Sequence, residues 1–276
     1  MRRRKFGRTG QEVSVIGQGT WRMGGRTEAA ALRAGLDAGM THIDTAEMYE
    51  GAESIVSDAM AGRRDAVFLV SKVLPGHASR TGVAAACDAS LKRLRTDRLD
   101  SYLLHWPGSH PLADTIRGFE DLKSAGKILS WGLSNFDVPE LEDALAIAGP
   151  GAIACNQVLY HLQERAIEHA VMPWCRANGI ALVAYSPFGS GDFPETTVAG
   201  GTVLARIAET HGTSPHAVAL AFLTRAEGSF AIPKTARVER ARANAEAGSL
   251  ALSPDEVTAI DRAFPLGPRP RSLPML

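Results

Sequence analysis

The sequence predicts an α/β fold, a (β/α)8 barrel forming one domain over residues 1–276. Two observations carry this. Short apolar runs alternate with longer amphipathic segments, about eight pairs in all, and no low-complexity gap or Gly/Ser linker breaks the alternation. Runs that are apolar nearly throughout are buried on both faces, as in a parallel sheet joined by crossover helices. About eight such units match a (β/α)8 barrel, which commonly runs to about 250 residues as one unit. The rival is an open doubly wound sheet, which when it binds a dinucleotide usually shows G-x-G-x-x-G at its first strand–helix turn. The nearest match, Gly17-Gln18-Gly19-Thr20-Trp21-Arg22, has Arg22 in place of the last glycine and opens no helix, so a Rossmann site is set aside.

The strands are expected at 13–16, 42–44, 66–70, 99–104, 128–133, 152–156, 180–185 and 229–232. Most are too short for helices, and several carry β-branched residues. The first helix is expected over 28–38, capped by Thr27 and stopped by Gly39. Others fit at 81–94, 112–124, 139–148, 170–177, 203–209, 215–226 and 238–247. Ser253 caps a final helix with Pro254 at its first position. Beyond it, 265–276 reads as a proline-rich tail.

The chain balances 30 Lys+Arg against 30 Asp+Glu, with 45% hydrophobic and 22% charged residues. A disordered chain would combine low hydrophobicity with excess charge. A neutral total argues against a basic nucleic-acid binder. Cys87, Cys155 and Cys175 show no CxxC spacing, so they suggest neither a disulfide framework nor a zinc site, but packing thiols in a reducing compartment. The basic start Met1-Arg2-Arg3-Arg4-Lys5 leads into Phe6-Gly7-Arg8-Thr9-Gly10, not into the apolar stretch of a signal peptide. No stretch approaches the ~20 apolar residues of a membrane helix, and a cytoplasmic location is expected.

In such a barrel, chemistry gathers at the C-terminal ends of the strands. Asp44 ends the second run, and Tyr49 follows it closely. Lys72 follows the third run, His105 the fourth, Ser134 and Asn135 the fifth, and Gln157 the sixth. Tyr185 and Ser186 close the seventh, and Lys234 and Thr235 follow the eighth. Singly, each has an ordinary explanation: a turn aspartate, a packing tyrosine, a solvated lysine, a buried histidine. Together at the ends of three successive strands, Asp, Tyr, Lys and His make a coherent chemical set. Tyrosine keeps its proton at neutral pH, with a reference pKa near 10. An ammonium on Lys72 is expected to lower that value, with Asp44 keeping Lys72 charged. His105 is placed to donate to a carbonyl oxygen. The set is a general acid aimed at an oxygen gaining negative charge, and it needs no metal.

These residues sit in motifs that resemble the aldo-keto reductases over nearly the whole chain. The resemblance runs from Lys5-Phe6-Gly7-Arg8-Thr9-Gly10 through Gly17-Gln18-Gly19-Thr20-Trp21 to His42-Ile43-Asp44-Thr45-Ala46-Glu47-Met48-Tyr49. Val70-Ser71-Lys72-Val73, Leu103-Leu104-His105-Trp106-Pro107, Gly132-Leu133-Ser134-Asn135-Phe136 and Asn156-Gln157 follow in order. Ala184-Tyr185-Ser186-Pro187 and Ile232-Pro233-Lys234-Thr235 complete it. Any one tetrapeptide is weak, but all of them in order are specific.

The resemblance implies a (β/α)8 barrel that reduces aldehydes and ketones with NADPH. The family's catalytic tetrad falls on Asp44, Tyr49, Lys72 and His105, with Tyr49 as general acid. Hydride would come from the nicotinamide, since the cofactor carries that chemistry. Tyr185 matches the ring that stacks on the nicotinamide, and Ser134, Asn135 and Gln157 the contacts to its carboxamide; Thr20 and Trp21 are expected to contact the cofactor as well. Ser186, Phe188, Gly189 and Ser190 match the pyrophosphate segment. Lys234, Thr235 and Arg240 match the 2′-phosphate pocket, within a basic cluster that also holds Arg237 and Arg242. Asn244 matches the adenine contact. Ala243 stands where the family often has Glu, which removes an adenine contact and is expected to weaken the hold on the cofactor without abolishing the preference for NADPH; NADH is a possible substitute. Trp21 and Trp106, with Tyr49 and His105, match the substrate-binding wall, and Met48 and Phe188 are further candidates. The short connection 106–111 and the short tail suggest an open site for small carbonyl compounds. The expected partner is that small molecule, with no nucleic acid and no membrane, and the chain is expected to be a monomer or weak homo-oligomer. Among other readings, a Schiff-base aldolase would need Lys72 uncharged. A nucleotide-binding regulatory subunit resembling channel β subunits would keep barrel and cofactor with little turnover.

Overall fold

The computed structural model describes the backbone of residues 1–276 and every side chain but that of Arg26. The chain opens with a hairpin of β1 (Arg3–Lys5) and β2 (Glu12–Ser14). Its connecting turn carries Gly7 at φ +54°, where an added Cβ would lie 2.2 Å from the carbonyl oxygen of Ala154. Only glycine fits that combination of left-handed backbone and close approach.

The barrel strands then alternate with helices. β3 (Gln18–Gly19), α1 (Arg26–Asp37), β4 (His42–Asp44), α2 (Ala52–Ala59), β5 (Phe68–Val73), α3 (Arg80–Leu94), β6 (Leu99–Leu104) and α4 (Leu112–Ser124) form the first half. β7 (Ile128–Ser134), α5 (Val138–Ala148), β8 (Ile153–Leu159), α6 (Val171–Asn178), β9 (Ala181–Tyr185), α7 (Ala199–Thr210), α8 (Pro215–Leu223), β10 (Ser229–Ala231), α9 (Val238–Ala247) and α10 (Pro254–Ala263) form the second. Strands β3 to β10 pair in sequence order, all parallel. Bridges Ile16↔Ala231 and Gly19↔Lys234 join the first strand to the last and close the barrel. The Gly17 amide donates to Ala231 at 2.8 Å, and the Ala231 amide donates to Val15 at 3.0 Å.

Phe6, on the hairpin turn, plugs the N-terminal end of the barrel, its ring centroid 4.7 Å from Phe68 and 5.2 Å from Phe230. Val13, Val70, Leu103, Val183 and Ile232 complete this interior cluster, while a larger shell packs between strands and helices. Cys87, Cys155 and Cys175 are free and buried, as packing thiols are.

Four local expectations are corrected. The run 13–16 divides: Val13 and Ser14 belong to the plugging hairpin, and the barrel strand starts after them. The first helix is capped at Gly25 rather than Thr27, because Glu28 reaches back to accept from the amides of Gly24 and Gly25 at 2.6 and 2.7 Å. Helix α2 gave no periodic signal, because its buried face includes the polar Glu53 and Ser57. Helix α7 begins at Ala199, the first turn being hidden by Gly200 and Gly201. Elsewhere the caps hold as read, and the Ser253 hydroxyl accepts from the Glu256 amide at 3.2 Å.

Candidate active site

Asp44 is the last residue of β4, Lys72 the fifth of six in β5, and His105 the first residue past β6. Side chains two apart on a strand share a face. Val70 lies in the barrel interior, so Lys72 points into the barrel above it; His42 packs against the Phe6 plug, so Asp44 stands above His42. Tyr49 comes from the turn after β4, closed by its amide donating to Ala46 at 3.0 Å.

The four side chains meet. Lys72 Nζ donates to Asp44 Oδ1 at 2.5 Å, to the carbonyl of Thr45 at 2.9 Å and to the Tyr49 hydroxyl oxygen at 3.5 Å. The Tyr49 hydroxyl lies 3.5 Å from His105 Nε2. Asp44 is 1% exposed and Lys72 0%, so the pair is cut off from water. The second oxygen of Asp44 accepts from Gln157 Nε2 at 2.7 Å, and Thr20 Oγ1 donates to the Asp44 carbonyl at 2.9 Å.

Burial acts differently on each group. It would strip Lys72 of its proton, but Asp44 and the Tyr49 oxygen outweigh it and hold the ammonium above the ordinary lysine value. Burial pushes the Asp44 carboxyl up, opposed by Lys72 and by the Gln157 amide. The Tyr49 phenol ends above its ordinary value, because desolvation exceeds the pull of Lys72. That reverses the expected direction: the ammonium does favour the phenolate, but the cleft withholds the water that would solvate it. His105 is pushed down to about 2 by burial and then by Lys72, so its ring is neutral. Its Nδ1 is buried without a partner, so a proton there would be an orphaned donor. The ring proton therefore sits on Nε2, facing Tyr49.

Asp44, Tyr49 and His105 floor a cleft of about 160 Å³. One wall is polar. Asn135, held at φ +62°, donates from Nδ2 to the His105 carbonyl at 3.2 Å and to Ser134 Oγ at 3.3 Å. Its Oδ1 accepts from the Tyr185 hydroxyl at 3.0 Å, which fixes the half-buried Tyr185 ring. Ser134, Asn135, Gln157, Ser186 and Lys234 line the cleft. The other wall is apolar, with Trp21 (39% exposed), Met48 (43% exposed) and Trp106.

The remaining residues lie outside the cleft lining. Phe188 opens the turn Gly189–Gly191, stacks edge-on to His216, and leaves Ser190 to donate to Ser186 at 3.1 Å. Thr235 accepts from the Arg237 amide at 3.1 Å. Arg240 and the buried Asn244 are on α9, and Arg240 lies near enough to His216 to help burial depress its pKa. Lys234 Nζ is 3.6 Å from Glu28 Oε1. Three contributors were missed. Gly19, Ile232 and Leu276 also line the cleft, and the Leu276 amide lies 3.3 Å from the Tyr185 hydroxyl oxygen. The tail therefore returns to the site; no local pattern in 265–276 announces that contact.

Comparison with known proteins gives the family and supports the fold. The family model described as "Aldo/keto reductase family" matches residues 15–264. A methylglyoxal reductase of Escherichia coli is 42% identical over 260 residues, 92% of each chain. A glyoxal reductase of Bacillus subtilis is 33% identical over 271 residues, covering 96% of this chain and 95% of its own. A solved aldo-keto reductase of Klebsiella pneumoniae, in complex with NADPH, superposes with a TM-score of 0.92 at 41% identity over the full length of both chains. With the barrel closed, the buried Asp44–Lys72 pair beneath Tyr49 and His105, and relatives matched end to end, the chain is an oxidoreductase belonging to the aldo/keto reductase family.

Proposed function

We propose that the protein reduces small reactive aldehydes and ketones with NADPH, with Tyr49 giving the proton to the carbonyl oxygen. The observation that carries this is the contact chain Asp44–Lys72–Tyr49–His105, buried at one end and open to the cleft at the other. The relatives named methylglyoxal reductase and glyoxal reductase support small dicarbonyl compounds as the first substrates to try.

The residues fit the cofactor. The buried amides and hydroxyl of Gln157, Asn135 and Ser134 match a planar carboxamide that both donates and accepts, and the fixed Tyr185 ring suits an aromatic ring. Ser186 and the turn at Phe188, Gly189 and Ser190 would run along the pyrophosphate. Lys234, Thr235 and Arg240 would take the 2′-phosphate and Asn244 the adenine. A charged phosphate suits two cations, the guanidinium able to bind it through two parallel hydrogen bonds. Ala243 leaves the adenine without an acidic contact, and NADH, lacking the 2′-phosphate, would be a poorer substitute. When bound, the nicotinamide supplies the hydride.

The chain's residues do the rest. The neutral His105 offers Nε2–H to the carbonyl oxygen and so orients it beside Tyr49. Burial keeps Tyr49 protonated until the oxygen becomes basic. Its proton then moves to that oxygen, and the phenolate left behind faces the Lys72 ammonium, which Asp44 keeps charged. Trp21, Met48, Trp106 and Leu276 shed water from the substrate end.

The test is NADPH oxidation with methylglyoxal and glyoxal, repeated in Tyr49→Phe. Proton transfer by a placed side chain is worth about 10²- to 10⁴-fold. The variant should lose that much in kcat while NADPH still quenches the protein fluorescence. Full activity in Tyr49→Phe would overturn the assignment. Binding of NADPH by the unaltered protein with no turnover of any carbonyl would favour a regulatory, nucleotide-sensing role.

A further inference from the structure

Glu47 stands two residues before Tyr49, in the same turn, and takes no part in the contact chain above. Its side chain is only 9% exposed. Its Oε1 accepts from the Leu74 amide at 2.6 Å and lies 3.0 Å from His77 Nδ1. Its own amide donates to the carbonyl of Lys72 at 3.3 Å. The Tyr49 turn is thus fastened to Lys72 itself and to the residues just beyond it.

The segment that Glu47 grips is held in turn. The single helical turn Pro75–His77 abuts the loop after His105, so closely that a Cβ on Gly108 would lie 2.6 Å from Pro75. His110 Nε2 is 3.3 Å from the Gly76 carbonyl, and Thr115 Oγ1 donates to the Ala78 carbonyl at 2.6 Å. Three successive loops, bearing Tyr49, following Lys72 and following His105, therefore form one braced unit, with Glu47 as the brace of the first.

The geometry points to Glu47 as a positioning residue that holds the Tyr49 hydroxyl within reach of Lys72 and His105. The inference rests on Tyr49 being the proton donor proposed above. Both hydroxyl contacts are 3.5 Å, at the outer edge of hydrogen-bond range, so a small outward drift of the turn breaks them together. The rest of the turn is held at its ends, by the Thr45 amide donating to the Val70 carbonyl at 2.9 Å and by the buried Ala46 and Ala52. The amide bonds of Tyr49 and Ala52 are internal to the turn, and Met48 is exposed on its outer side. A carboxylate accepting a backbone N–H makes one of the stronger hydrogen bonds a protein offers.

The experiment compares Glu47→Ala, Glu47→Asp, Glu47→Gln, His77→Ala and Tyr49→Phe with methylglyoxal, reading kcat, the NADPH dissociation constant from fluorescence quenching, and Tm. Glu47→Ala should lower kcat about 10- to 100-fold, the scale of a misplacement of about 1 Å, without changing NADPH affinity. Glu47→Gln keeps a carbonyl acceptor for the Leu74 amide and should restore most of kcat. His77→Ala removes only the exposed partner and should change kcat little. Should Glu47→Ala not fold, Glu47→Asp carries the test, since it shortens the reach by one methylene and should lower kcat at unchanged affinity. An unchanged kcat in Glu47→Ala overturns the inference, as does Glu47→Gln being equally slow. Equal losses of kcat and NADPH affinity overturn it too, because they mark a general loosening. Tyr49→Phe separates the two readings. If it stays active the role of Tyr49 fails; if it is inactive while Glu47→Ala is normal, only the role of Glu47 fails.

Discussion

Asp44→Asn tests the buried ion pair on which the site is built. The substitution keeps the shape of the side chain and removes its charge. Lys72, 0% exposed, would then face only uncharged acceptors: the new side-chain amide, the Thr45 carbonyl at 2.9 Å and the Tyr49 hydroxyl at 3.5 Å. Breaking one partner of a buried pair leaves an uncompensated charge and costs about 3–5 kcal/mol. At about 2–4 °C per kcal/mol for a chain of this size, Tm should fall by about 10 °C. The pH dependence has a definite sign. In the unaltered protein Asp44 helps hold the Lys72 pKa above its ordinary value, so that stabilisation is present at neutral pH and is lost only as pH rises past the lysine range. In Asp44→Asn burial depresses Lys72 without that opposition, so the unfolded chain holds the proton more tightly. The deficit relative to the unaltered protein should therefore shrink as pH rises from 7 toward 10. Urea unfolding at several pH values measures this. Adding Lys72→Met removes the stranded charge, so the double variant should be more stable than Asp44→Asn alone. An Asp44→Asn protein as stable as the original at pH 7, or strictly additive losses in the double variant, would refute the reasoning.

Two more outcomes are expected. His42 and His105 are held neutral by burial, at about 3 and about 2, whereas unfolded histidines titrate near 6.5. The unfolded state therefore takes up protons that the folded state refuses, and stability full above pH 6.5 declines below it. Roughly 2 kcal/mol per histidine should be gone by pH 5, before the ordinary carboxylates titrate. His42→Leu should make that slope shallower, and an unchanged slope between pH 6.5 and pH 5 would disprove the assignment for His42. Lys234→Ala should weaken NADPH about tenfold, the lower end of what a charge-assisted hydrogen bond contributes, because its side chain is partly solvated. NADH affinity should change less, and equal losses for both cofactors would place Lys234 away from the 2′-phosphate.

The alternation of short apolar runs with amphipathic segments determined the barrel, because strand burial and helix amphipathicity are written in local periodicity. The polar residues closing those runs, Asp44, Lys72, His105, Asn135, Gln157 and Tyr185, could be placed on one rim because every strand of a parallel barrel ends on the same side. The chemical types alone then suggested an acid beside a cation. What the tertiary structure decided depends on residues far apart in the chain. Phe6 plugs the barrel because the hairpin folds back onto Phe68 and Phe230. Helix α1 starts at Arg26 because Glu28 turns back on Gly24 and Gly25, whereas the sequence pointed to Thr27 as the cap. Leu276 joins the site through a contact with Tyr185, 91 residues away in the chain. The phenol of Tyr49 moves up rather than down because the balance between a neighbouring ammonium and lost water is a sum over surroundings that no motif records. Sequence thus fixed which groups are present and on which face they emerge. Only folding set how dry they are, and dryness decides which of them hold their protons.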